Sequence, residues 1–192
     1  CKKEDREESS PEIIYGANVS DIDENVYHTV RIGTQLWMVE SLKTTKFNDG
    51  TSIPTETDNN AWMLLSTPGY CWYNNDISSK NPYGALYNWY AVNTGKLAPE
   101  GWHVPGAAEW TILINYLGGN KVAAAKLKEQ GTSYWKILHG ESANEFGFTA
   151  LPGGYRNAYG CEDMGEYCYF WSAESNTYLT LDLYGAIFLS TP

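Results

Sequence analysis

The sequence predicts an α+β domain in which small antiparallel sheets are flanked by two main helices and the C-terminal half is rich in loops. Three observations carry that prediction. Strand-like alternation opens and closes the chain, while helical spacing occupies its middle. Leu, Ile, Val and Phe contribute only 37 of the 192 residues, and 8 Trp, 15 Tyr and 18 Gly take their place. Large aromatics bury roughly 150–250 Å² each, and a balance of rings and turns favours short strands over a helical bundle or a parallel sheet. The length is that of one domain with a real core.

Residues 26–32 alternate apolar and polar side chains and read as a half-buried strand. Gly33 and Thr34 make a turn, and residues 35–39 read as the hairpin partner. Asp49 and Gly50 give the strongest turn signal in residues 47–54. Asp58 is placed to cap a short helix that stops before Thr67, Pro68 and Gly69. Residues 70–73 read as a short buried strand. Tyr83, Leu86, Tyr87, Trp89 and Tyr90 fall on helical spacing, which predicts a helix over residues 83–92. A clearer helix covers residues 107–117, with Trp110, Leu113, Ile114 and Leu117 on one stripe and Gly118 and Gly119 as the stop. Residues 121–129 make a third, short helix through their alanines. Beyond Gly131 the texture is Gly-rich, aromatic and loop-like. Residues 178–184, with Leu179, Leu181 and Leu183 alternating, and residues 186–189 close the chain as strands. There is no internal repeat.

Asp and Glu outnumber Lys and Arg by 23 to 13, a net charge of −10. No basic patch exists to neutralise phosphates, which excludes nucleic acid as a partner. No apolar run approaches the roughly 18 residues of a membrane-spanning helix. Cys1 followed by Lys2-Lys3-Glu4-Asp5-Arg6-Glu7-Glu8-Ser9-Ser10-Pro11 has the look of a mature bacterial lipoprotein acylated on its first cysteine. The expectation is lipidation at Cys1, a largely disordered tether over residues 1–20 and a single domain over residues 21–192. Lys3-Glu4-Asp5 also resembles the acidic export signal of Bacteroidetes lipoproteins. That implies a lipid-anchored position on the outer membrane, exposed at the cell surface, with membrane contact through the anchor alone.

Four cysteines suit an oxidising compartment. Cys161 and Cys168 lie seven apart in a Gly-containing loop and are expected to close a small disulfide ring, with free thiols as the alternative. Zinc would need two further ligands that the neighbourhood lacks.

Gly101-Trp102-His103-Val104-Pro105-Gly106-Ala107-Ala108-Glu109-Trp110 and Gly147-Phe148-Thr149-Ala150-Leu151-Pro152-Gly153-Gly154-Tyr155-Arg156 resemble the Fibrobacter succinogenes major paralogous domain, abundant in surface lipoproteins of Fibrobacter and Bacteroides. The likeness extends over residues 21–27, 32–38, 42–45, 70–75, 83–89 and 170–174. It implies a C-type lectin-like fold similar to that of the formylglycine-generating sulfatase-modifying enzymes, whose helix-opening segment corresponds to residues 103–110. Family members continue to a final Gly-Phe-Ser-Val-Arg-Cys strand that this sequence does not show. The expectation is a domain lacking its closing strand, which leaves in doubt any disulfide from Cys71 to the family's C-terminal cysteine.

The formylglycine-generating enzymes use a reactive cysteine pair and copper. Here Cys161 and Cys168 sit beside Glu162, Asp163 and Glu166, charges expected to raise thiol pKa values and suppress nucleophilicity. His28, His103 and His139 have no nucleophile motif beside them. No catalytic residue and no cofactor is therefore assigned. Calcium is the one cation whose hard-oxygen chemistry fits local clusters, at Asp21/Asp23/Glu24, Asn74/Asn75/Asp76 and Glu162/Asp163/Glu166, but none has EF-hand spacing and solvated acidic loops are the plainer reading. For binding, residues 144–174 offer rings and polar groups together: Tyr155, Arg156, Asn157, Tyr159, Tyr169, Trp171 and Glu174. Tyr155 and Trp171 read equally as core packing. The functional expectation is a non-catalytic surface lipoprotein that binds a glycan or a host or partner protein as an adhesion module. The alternatives are a structural subunit of a surface assembly joined through a strand edge, and an enzyme of unknown class, hydrolysis being the one suggested.

Overall fold

A computed structural model describes residues 11–131, 133–136, 142–175 and 177–182 and the backbone of 186–190. The chain opens with β1 (Ile14–Tyr15), β2 (Val19–Ser20), β3 (Val26–Tyr27), β4 (Thr29–Ile32) and β5 (Gln35–Met38). Helix α1 (Asn59–Leu64), β6 (Tyr70–Cys71), two 3-10 turns (Tyr73–Asn75 and Ile77–Ser79), α2 (Lys80–Tyr83), β7 (Leu86–Tyr87) and α3 (Trp89–Val92) follow. Helices α4 (Ala107–Tyr116) and α5 (Asn120–Leu127) lead into β8 (Gly153–Asn157), β9 (Gly160–Met164), β10 (Cys168–Trp171), β11 (Thr177–Leu181) and β12 (Ala186–Ser190). The strands form antiparallel sheets in the orders β1-β4-β5 and β10-β11-β12, and three two-stranded ribbons, β2-β3, β6-β7 and β8-β9. This is the α+β architecture the sequence predicts.

Part of the segment expected as tether is described and takes part in strand pairing. Ile14 pairs with Arg31 across β1 and β4, and Gly16 N–H donates to Thr29 O at 2.9 Å. Residues 14–20 therefore belong to the domain, because their backbone groups complete ladders that β4 and β3 would otherwise leave open. Cys1, the Lys3-Glu4-Asp5 signal, His139 and Leu183 lie outside the described residues, as do the side chains of 186–189. The β4–β5 hairpin forms as read, with Ile32 opposite Gln35 across Gly33 at φ +60°.

Asp23 pins this N-terminal region to the loop after β5. Its Oδ2 accepts from Thr45 N at 2.6 Å and Thr45 Oγ1 at 2.7 Å, and its Oδ1 meets Lys46 Nζ at 2.9 Å. Burial pushes this carboxyl up, but those donors outweigh it and hold the pKa down to about 2. A folded-state pKa below the ordinary value means the stabilisation is complete above about pH 4 and drains as the pH falls towards 2. Asp23→Asn should cost about 1–2 kcal/mol at neutral pH. The gap to the parent should close on acidification in urea-unfolding series; a pH-independent gap would assign the loss to packing.

Helix α1 starts where expected, with Asp58 Oδ1 accepting from Ala61 N at 2.8 Å. Residues 83–92 depart from the single helix predicted for them. Gly84 sits at φ +79° with Leu42 O and Ser41 packed against it, so a continuous helix cannot pass. Leu86 and Tyr87 instead pair with β6, and Asn88 caps the short α3, its Oδ1 accepting from Ala91 N at 3.0 Å. Helix α4 follows its predicted stripe, with Trp110, Leu113, Ile114 and Leu117 all buried. Its N-cap, Gly106, has no side chain to offer. Glu109 reaches back to accept from Gly106 N at 2.8 Å, and Glu174 reaches across from the far end of the chain to accept from Ala107 N at 2.8 Å.

Among the described residues two apolar clusters fill the interior. The larger gathers Val30, Ile32 and Trp37, the α4 stripe, Ala123, Ala124 and Leu127 of α5, Trp135, Phe148 and the inward residues of β10 and β11. Trp37 stacks on Trp110 with centroids 4.7 Å apart. The smaller holds Phe47, Ile53, Tyr70, Trp72, Tyr87, Ala91, Val92 and Leu97. Fully burying a side chain of this class is worth roughly 1.5–3 kcal/mol, so aromatics supply much of what a richer aliphatic core would.

Candidate functional site

Strand pleating sorts β10 and β11 into two faces. Cys168 lies opposite Leu181 and Phe170 opposite Leu179, and these four pack on the larger cluster. The alternate residues pair as Tyr169 with Thr180 and Trp171 with Tyr178, facing the other way. Tyr169 then continues a chain of rings: Tyr167 at 5.9 Å, Tyr155 of β8 at 5.1 Å and Tyr178 at 5.9 Å between centroids. From Tyr178 the run passes to Trp171 at 6.2 Å and on to Trp89 of α3 at 5.8 Å. All six rings are half-buried, so each is fixed by neighbours yet touches solvent.

Carboxylates border the tyrosine end. Tyr155 Oη donates to Glu162 Oε2 at 2.8 Å, Asn157 Nδ2 donates to the same oxygen at 2.9 Å, and Tyr169 Oη donates to Asp163 Oδ2 at 3.0 Å. The Glu162 hydrogen bond raises the Tyr155 phenol, and burial together with Asp163 raises that of Tyr169, so both act as neutral hydroxyls.

Five of the six rings, all but Tyr167, line a cleft of about 1020 Å³ between the two clusters. Trp102, His103 and Glu109 contribute further wall, with His103 Nε2 2.9 Å from the Glu109 carboxylate. Among the described residues three lining residues carry buried polar atoms without a hydrogen-bond partner, Trp37 Nε1, Gln35 Oε1 and Arg156 Nε. Strand β5 thus sets into one cleft wall a donor and an acceptor whose hydrogen bonds no protein group completes.

The seven residues singled out from sequence divide accordingly. Tyr155, Tyr169 and Trp171 join the ring run, and Asn157 joins its acidic border. Trp171 also anchors itself, its Nε1 donating to Tyr87 O at 2.8 Å. Tyr159, at 88% exposed, stands on the β8–β9 tip away from the run. Glu174 is held by Ala107 N and by Ser172 Oγ, as a helix cap. Arg156 lines the cleft but is only 8% exposed, and its guanidinium serves as a clamp. Its Nη1 donates to Glu56 O and Asn75 Oδ1 at 2.8 and 2.9 Å, its Nη2 to Thr57 O and Asn59 Oδ1 at 2.8 Å each, and its guanidinium lies 5.1 Å from the Trp62 ring centroid. Sequence reading misses Tyr167, Tyr178 and Trp89 because they come from three separate segments, although the alternation of 177–181 carries a signal for Tyr178.

The expected Cys161–Cys168 ring is not formed. Residues 160–164 are not loop but strand β9, and Cys168 points from β10 into the larger cluster, where burial pushes its thiol up. Cys161 instead meets Cys71, whose thiol hydrogen-bonds to it, and its Sγ also accepts from Asn74 N at 3.2 Å. That thiol contact, the Asn74 N–H and the charge of Arg156 lower the Cys161 pKa, the reverse of the shift expected from its acidic neighbours.

The acidic clusters are engaged by protein donors. Asp21 Oδ1 accepts from Asp23 N and Asn25 N, its Oδ2 accepts from Tyr27 Oη at 2.6 Å, and Asp76 Oδ1 accepts from Ser78 N at 2.9 Å. Among the described residues no group of three or more His, Cys, Asp or Glu gathers in a way that could hold a metal ion, and no helix is long and apolar enough to cross a membrane.

Searches of curated proteins and of solved structures return no match to this chain. The scan against family models does, and it spans both clusters, the cleft and the ring run from β4 to the end of β11. With the model of the Fibrobacter succinogenes major domain matching residues 30–182, the chain belongs to that family.

Proposed function

We propose that this domain is a non-catalytic binding module whose ring-lined cleft takes an oligosaccharide, with a partner protein's surface as the other ligand class. The observation that carries the reading is the unbroken run of six half-buried rings from Tyr167 to Trp89, five of them in the cleft wall. Pyranose C–H faces stack on aromatic planes while their hydroxyls donate and accept. The open Trp37 N–H and Gln35 carbonyl match one donor and one acceptor of that chemistry. A C-type lectin-like arrangement of the small sheets belongs to the same proposal and is supported by the family resemblance of the Gly101–Trp110 and Gly147–Arg156 segments. The setting we propose is the outer-membrane surface, in keeping with the family resemblance of the Gly101–Trp110 and Gly147–Arg156 segments. The charged residues 2–8 suit a solvated spacer there.

A glycan array followed by fluorescence titration of the hits tests this. Tyr155→Ala and Tyr169→Ala should each weaken binding about tenfold, the loss of one stacking contact of about 1.4 kcal/mol. Tyr159→Ala, outside the run, should leave affinity unchanged. An array without hits, or hits indifferent to Tyr155 and Tyr169, would overturn the glycan reading.

A further inference from the structure

Among the described residues three cysteines are free, and two of them, Cys71 and Cys161, are neighbours within reach of a thiol hydrogen bond. Cys71 ends β6, and Cys161 lies on β9, opposite Arg156 in the β8–β9 ladder. Asn74, three residues after Cys71, holds Cys161 Sγ with its backbone N–H at 3.2 Å. Arg156 packs against this pair from the third side. It spends both Nη groups on the 56–59 and 75 loops, its Nε stays buried, and the guanidinium also bears on the Cys71 thiol. A buried cation beside two neighbouring thiols is a site prepared for a sulfur anion.

We propose that Cys71 and Cys161 are a redox pair that closes to an intrachain disulfide and ties strand β6 to the β8–β9 hairpin. The oxidant is an external disulfide, either a small-molecule one or one carried by a thiol oxidoreductase. Cys161 is the half-buried member and reacts first, whereas Cys71 is fully buried. The Cys161 thiolate, favoured by Arg156 and by the Cys71 thiol, attacks one sulfur of the incoming disulfide. A mixed S–S bond forms, the old S–S bond breaks, and its electron pair leaves on the second sulfur. Cys71 then gives up its proton and attacks Cys161 Sγ, forming the Cys71–Cys161 bond and expelling the other thiolate. Two protein thiols are oxidised, one external disulfide is reduced to two thiols, and the two protein protons end on those leaving groups. Cys168, buried in the larger cluster, stays out of the exchange.

The experiment equilibrates the full chain in glutathione buffers of graded ratio, quenches by alkylation and maps peptides without reduction. The expected product is a single Cys71–Cys161 cross-link, with Cys168 recovered alkylated after unfolding. Closing a loop of this length should raise the melting temperature on the order of 10 °C over the reduced chain. In Cys71→Ala the glutathione adduct on Cys161 should persist, for want of a resolving thiol, and in Cys161→Ala no adduct should appear on Cys71. A Cys161–Cys168 link, a lasting adduct on Cys161 in the parent chain, or no cross-link at any ratio would overturn the proposal. The parent map decides even where a variant fails to fold, and none of these readouts depends on the glycan reading.

Discussion

Arg156→Met should destabilise the domain by about 3 kcal/mol, measured as a fall in the urea midpoint at unchanged slope. The substitution keeps much of the aliphatic stem and deletes four hydrogen bonds from a charged donor to Glu56 O, Thr57 O, Asn59 Oδ1 and Asn75 Oδ1. Charge-assisted bonds of this kind are worth roughly 1.5–3 kcal/mol each. Several of the acceptors stand near solvent and regain water, which is why the sum is not reached. Arg156→Lys should recover less than half of the loss, because a single ammonium cannot span acceptors on two loops and lie over Trp62 as the planar fork does. A loss below about 1 kcal/mol for the methionine variant would show that the 56–59 loop is held by other contacts.

Arg156 also marks where sequence reading stops short. An arginine among tyrosines in a Gly-rich segment has the composition of a ligand contact, and only its burial and its four partners, 81 to 100 residues away in the chain, show it to be a strut. What is legible is local. The α4 stripe repeats within one segment, the Asp58 cap acts three residues ahead, and the β4–β5 turn needs only Gly33. Strands β8, β9 and β10 read as loops for a physical reason. Gly153, Gly154 and the acids of β9 carry little β propensity, and β10 is apolar on both faces because one meets the larger cluster and the other the cleft. Without alternation there is no period-two signal to find. The ring run and the Cys71–Cys161 contact are assembled from residues scattered between 71 and 178, so their chemistry is visible in composition while their geometry is not.

Gly154→Ala should cost about 3–5 kcal/mol, through a mechanism separate from the arginine clamp. Gly154 lies in β8 at φ +65°, and a Cβ there would stand 2.2 Å from Glu162 O and 2.8 Å from Met164 N. Both obstacles are backbone of the partner strand, so relief requires moving β9 away and breaking the Gly153–Met164 and Tyr155–Glu162 pairs. Gly50→Ala separates the two components of that cost. Gly50 has φ +85°, and a methyl group added to it would find nothing within 4 Å, so alanine there meets the left-handed backbone penalty of about 1 kcal/mol and no clash. The difference between the two variants measures the steric part. Because β8 and β9 carry Tyr155, Arg156, Asn157 and Cys161, the Gly154 variant should lose amide-exchange protection in this hairpin first. Its reduced thiols should alkylate faster at Cys161 than in the parent, while Cys168, on the far face of β10, keeps its protection. Equal costs for Gly154→Ala and Gly50→Ala would mean that β9 yields freely, and that the hairpin is too loose to hold either the ring run or the thiol pair in register.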